Sequence, residues 1–107
     1  MPYDIHLGEA ESQARAELPE LSLDYSTHRA IFEESNVELY DLHLFYNLSD
    51  FYQNACFLGS HVIGLRADVE EARRRIHHPR ATEPLSLLSK LCDRAIKSEK
   101  SLFAFGE

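Results

Sequence analysis

An α+β fold is predicted by three observations. In the first half of the chain apolar and polar residues alternate, at 3–7 and again at 37–46, which is the two-residue period of a strand buried on one face. In the second half apolar residues recur at spacings of three and four, the period of amphipathic helices. Glycine and proline are few, four of each in 107 residues, so the breaks between segments are local turns and not linkers. The expected architecture is a small, mainly antiparallel sheet built from N-terminal and central strands, with two C-terminal helices packed on one side. The length suits a single domain, 1–107, with one core.

Tyr3, Ile5 and Leu7 on one face and Asp4 and His6 on the other predict the first strand, which Gly8 ends. Residues 9–18 read as a short helix stopped by Pro19. Leu21, Leu23 and Tyr25 alternate again and predict a second strand; "STHRAIFEES" then has helical composition, with Ser26 as its N-cap. At 37–46 the residues Tyr40, Leu42, Leu44 and Tyr46 share one face, with Asp41 and His43 opposite, and this is the clearest strand in the chain. Asn47 breaks it, and 50–59 is expected to be a short helix closed by Gly59. "HVIGL" is β-branched enough to predict a further strand.

Asp68 followed by Glu71 has the spacing of a capping box, and a helix over 69–78 is expected, ended by Pro79. Glu70 and Glu71 reach Arg73, Arg74 and Arg75 at spacings of three and four, so this arginine run reads as a solvated, ion-paired face. Thr82 and Pro84 are expected to open the last helix, with Leu85, Leu88, Leu91, Cys92, Ala95 and Ile96 as its buried stripe. The tail 101–107, "SLFAFGE", is expected to fold back as an edge strand, fill a groove, dock onto a second copy or stay disordered. Burial of Phe103 and Phe105 is the favoured outcome, because two exposed phenylalanines are unusual on a monomer.

Composition narrows the function classes. With 44% apolar and 27% charged residues the chain is neither disordered nor fibrous. No run of eighteen apolar residues occurs, and the first residues lack a basic region followed by an apolar one, so neither a membrane span nor secretion is expected. Cys56 and Cys92 stand far apart and outside any C-x-x-C pattern, which points to a reducing cytoplasm and not to a disulfide scaffold. Signature sequences for nucleotide binding, serine hydrolysis and zinc proteolysis are absent.

Charge is uneven. The formal net charge is −7, but residues 1–60 hold eleven carboxylates beside only Arg15 and Arg29, a balance of −9, while 61–107 carry a balance of +2. An acidic half disfavours the nucleic-acid backbone and favours a basic protein or a cation. The expected function is therefore a small acidic protein-interaction module, of the inhibitor, antitoxin or immunity type, binding a basic protein partner without catalysis, with Glu33, Glu34 and Glu38 among the partner-binding residues. A homodimer through the last helix or the Phe103/Phe105 tail is part of this expectation.

The alternative rests on a repeat. "YDIHL" at 3–7 returns as "YDLHL" at 40–44. If both pentads were adjacent strands, Asp4, His6, Asp41 and His43 would converge. Parallel pairing would crowd like groups and suit a divalent transition metal, either bound structurally or serving metal-assisted hydrolysis. Antiparallel pairing, with Ile5 opposite Leu42, would set Asp4 against His43 and His6 against Asp41; this needs no metal and is favoured, since antiparallel pairs are the commoner. A small-molecule pocket lined by Tyr40, Tyr46, Phe51 and Tyr52 is a third reading, weaker than their use as core.

Overall fold

The computed structural model describes residues 2–106 and shows an α+β fold around a four-stranded antiparallel sheet. In chain order the elements are β1 (Tyr3–Gly8), α1 (Glu11–Ala16), β2 (Leu21–Leu23), α2 (Tyr25–Phe32), α3 (His43–Tyr46), β3 (Ala55–Phe57), α4 (Ser60–Arg75), α5 (Pro79–Ser98) and β4 (Ser101–Phe105). The sheet order is β2-β1-β4-β3.

The first strand forms as its alternation predicts. Its partner is not the second pentad: Ile5 lies opposite Leu21 on one side and Ala104 on the other. Leu7, Leu102 and Phe57 lie side by side in register, as do Ile5, Ala104 and Ala55, on the face that meets the helices. Alternation then places Asp4, His6, Phe103, Phe105 and Cys56 on the opposite face. The short α1 packs on that side, with Ala14 against Gly8 and the Arg15 guanidinium 4.2 Å above the Phe105 ring.

The tail is therefore not an edge strand. It is β4, a central strand, with Leu102, Phe103 and Ala104 all buried, so Phe103 is committed to its own sheet and Phe105 is half-buried. Glu107 of the predicted tail lies outside the described residues.

The clearest sequence expectation fails at 37–46, which is a turn followed by α3 and not a strand. The buried residues here are Leu39, Leu42, Phe45 and Leu48, a spacing of three that winds the chain against the core, while Tyr40 stands 63% exposed. Alternating apolar residues and this three-residue spacing coexist in the same letters, and tertiary packing selects the second. Two further boundaries move for related reasons. "HVIGL" belongs to α4, and the predicted helix at 50–59 instead contains β3. Gly59 is the N-cap of α4 with φ 53° and ψ −123°, a backbone conformation open to glycine alone.

Asp68 therefore sits inside α4, not at its start. Its carboxylate still caps a helix: Oδ2 accepts from the backbone N–H groups of Leu44 (3.0 Å) and Phe45 (3.2 Å), the free donors at the start of α3. Capping chemistry was readable from the sequence, but the capped helix lies 24 residues away. Replacing Asp68 with alanine is expected to cost about 0.5–2 kcal/mol, the usual range for a lost N-cap. Urea unfolding of Asp68→Ala and Asp68→Asn checks it, and an unchanged midpoint in both would mean that α3 does not depend on this contact.

α2 is capped by Asp24, whose side chain accepts from the Thr27 N–H at 2.7 Å, and not by Ser26. The carboxyl is held below its usual range by that backbone hydrogen bond. α4 ends at Arg75, ahead of Pro79, which opens α5 at its first helical position, where proline has no hydrogen bond to lose. The predicted stripe of α5 is buried except for Ile96, which is exposed with Leu58 and Ile63. No helix among the described residues is long and apolar enough to cross a membrane.

Candidate partner-binding groove

The four residues of the two pentads do not converge. Asp4 accepts a hydrogen bond from the Ser22 hydroxyl at 2.7 Å. His6 is buried with its ring 5.0 Å from that of Phe105, and its Nδ1 has no partner. Asp41 lies in the turn before α3, and His43 is the exposed first residue of α3. The adjacent-strand geometry that would unite them does not form, because 37–46 is not a strand. Among the described residues no three His, Cys, Asp or Glu side chains are grouped so as to hold a metal ion.

Asp41 has a different task. The Arg75 guanidinium grips its carboxylate with two parallel hydrogen bonds of 2.8 Å each, and also reaches the Glu38 carbonyl at 3.3 Å and the Glu71 carboxylate at 2.8 Å. The Arg75 hydrogen bonds hold the Asp41 carboxyl down at about 2. Of the three consecutive arginines, Arg73 and Arg74 pair with Glu70 and Glu71 along α4 as the spacing predicts. Arg75 makes the expected pair with Glu71 and, with the rest of its guanidinium, also fixes the 38–41 turn, a fork geometry that lysine cannot supply.

That turn forms one wall of a groove of about 400 Å³; the end of α2 and α3 complete it. Phe32 and Val37 line its apolar floor. Tyr40 and Tyr46, both exposed, meet edge to face with ring centroids 5.0 Å apart, and Glu33 and Glu38 supply carboxylates at the rim. Asn36 adopts φ 55°, the left-handed conformation that asparagine tolerates better than most residues, and so turns the chain from α2 into the wall. Sequence reading places Tyr40 and Tyr46 in a strand face; the structure places them on the surface. Of the other two aromatics in the small-molecule reading, Phe51 is buried against Tyr3 and His28, and Tyr52 is exposed elsewhere, so the four form no common pocket.

Of the three expected partner-binding carboxylates, Glu33 and Glu38 line this groove, whereas Glu34, next to Glu33 in the chain, does not. Glu33 and Glu34 share Arg29, at 3.1 and 3.9 Å, and His78 lies 3.8 Å from Glu34. Glu38 is exposed and has no ion-pair partner among the described residues. Two carboxylates thus share the Arg29 guanidinium, and the third stands apart from it. A larger depression of about 570 Å³ between β2, α2 and α5 is lined by Asp24 and Glu83 on one hand and Arg80 on the other, so it offers no uniform sign of charge.

Nucleophile chemistry has little support elsewhere. Burial pushes the Cys92 thiol up to about 12, and the exposed Cys56 is also raised, by partial burial and then by Glu11. Neither thiol is poised as a thiolate. Comparison with protein families, with curated proteins and with solved structures produces no match.

Proposed function

We propose that this protein is a small acidic interaction module that binds a basic protein partner without catalysis, through the surface carrying Glu33, Glu34 and Glu38. The observation that carries the reading is the groove itself: an apolar floor, two exposed tyrosines and a carboxylate rim, on a turn locked in place by Arg75. A surface fixed before binding loses less freedom on association. Exposed aromatics beside unneutralised charge are the residue types that anchor interfaces. A homodimer through the last helix would use Ile96 with Ile63 and Leu58; the acidic surface does not require it.

Affinity capture from the native host tests the proposal, run in parallel with wild-type protein and the Glu33→Gln/Glu34→Gln/Glu38→Gln variant. The wild type is expected to enrich a basic protein. The variant should bind it about tenfold or more weakly, with most of the change in association rate and a reduced sensitivity to salt. Absence of any enriched protein, or equal binding by the variant, would remove the electrostatic account.

A further inference from the structure

We infer that the groove between α2 and α3 is a receptor for an arginine side chain presented by the basic partner, an assignment that rests on the acidic-module reading and sharpens it. Charge alone would accept any cation, but the groove adds geometry. Tyr40 is 63% exposed, and Tyr46 braces its ring edge to face at 5.0 Å, so a flat aromatic surface is held open to solvent. Glu38 and Glu33 stand at the rim of the same groove, and Glu38 has no ion-pair partner among the described residues. A planar guanidinium can stack on a tyrosine face while its N–H edge forks onto a carboxylate. An ammonium is a strongly hydrated point charge and gains less from the ring.

The molecule already uses this chemistry internally. Arg15 lies 4.2 Å above the Phe105 ring, and Arg29 sits 5.8 Å from the Tyr25 ring centre while its Nε contacts Glu33 at 3.1 Å. The second case pairs a ring and a carboxylate around one guanidinium, one helix turn from the groove. Tyr40 with Glu38 offers a ring and a carboxylate of the same kinds with the guanidinium still to come from outside. Arg75 is not available to fill the place, because it is spent on Asp41, Glu71 and the Glu38 carbonyl beneath the turn.

The test is an NMR titration of full-length protein with two blocked peptides of equal charge, hexa-arginine and hexa-lysine. Wild type, Tyr40→Ala and the triple glutamine variant are compared. The inference expects hexa-arginine to bind about three-fold or more tighter than hexa-lysine, with the largest shifts confined to 32–46. It also expects Tyr40→Ala to weaken hexa-arginine binding more than hexa-lysine binding, so that the preference is lost. Tyr40 is exposed enough to be removed without unfolding, and the spectrum of the free variant verifies this. Equal affinity for the two peptides, or a preference that survives in Tyr40→Ala, overturns the arginine assignment but leaves the acidic module standing, provided the triple variant weakens both. If neither peptide binds, or the triple variant binds both unchanged, the assignment and the reading beneath it fall together.

Discussion

Leu102→Ala is expected to destabilise the protein by about 2–5 kcal/mol, the range for removing a fully buried leucine from a packed core. Leu102 is fully buried, with Leu7 and Phe57 as its register neighbours in β1 and β3, so the truncation opens a hole beneath the sheet where three strands meet. A chain of this size has about 5–15 kcal/mol of total stability, and the loss is therefore a large share of it. Equilibrium urea unfolding measures the effect. Tyr52→Ala, at an exposed position, is the control and should stay within about 0.5 kcal/mol of wild type. A Leu102→Ala protein as stable as that control would show that β4 does not occupy the middle of the sheet.

The second large effect is a loss of stability in mild acid that comes from His28. The imidazole is buried among Tyr3, Phe32 and Phe51, and its Nε2 donates to the Leu48 carbonyl at 2.7 Å. Burial lowers its pKa below 6.5; the Leu48 hydrogen bond, Glu33 and Asp50 pull the other way without prevailing. Above about pH 6.5 the ring is neutral in both states and contributes no pH dependence. Below that, the unfolded chain takes up a proton that the folded state resists, so stability falls as pH falls until the folded pKa is passed. The slope contributed by one such group is at most about 1.4 kcal/mol per pH unit.

His28→Gln can keep a donor for the Leu48 carbonyl while removing the titration. It should be less stable than wild type at pH 7, because ring packing is lost, yet show a shallower fall between pH 7 and 5. Parallel slopes for the two proteins would assign the acid sensitivity to other groups. The Leu48 hydrogen bond survives protonation, since an imidazolium still donates from Nε2, so the cost falls on the desolvated ring and not on this tie.

Legibility in the sequence depended on whether a residue's neighbours were local. β1, β2, the stripe of α5 and the i,i+3 and i,i+4 pairs of α4 could be read because periodicity and spacing determine them within a few residues. The tail's need for burial was also readable from Phe103 and Phe105, although its central place was not, since strand order depends on partners across the whole chain. At 37–46 two periods overlapped, and only the core could choose between them. The same limit separates "YDIHL" from "YDLHL": the first is a strand flanked by β2 and β4, and the second is a turn leading into α3 because the core takes Leu39, Leu42 and Phe45, with Arg75 gripping its aspartate. The carboxylates proposed to meet a partner stand out in the sequence by charge alone. Tyr40, Tyr46 and Arg75 were missed as parts of their setting, since solvent exposure and a bond across 34 residues leave no mark on local pattern.

The place of β4 has a consequence for how the chain comes to be folded during synthesis. β1 is the first of the described elements to leave the ribosome and β4 the last, yet the two must pair, and β3 can join only through β4. Helix pairs such as α4 and α5 can dock from local contacts, whereas the sheet needs contacts of nearly maximal sequence separation, which slows folding. Until β4 emerges, β1 and β3 present unpaired backbone edges to the crowded cytosol or to any other medium in which translation occurs, and such edges invite association. Cellular yield is therefore expected to respond to translation speed more sharply than for a fold whose sheet pairs strands close in sequence.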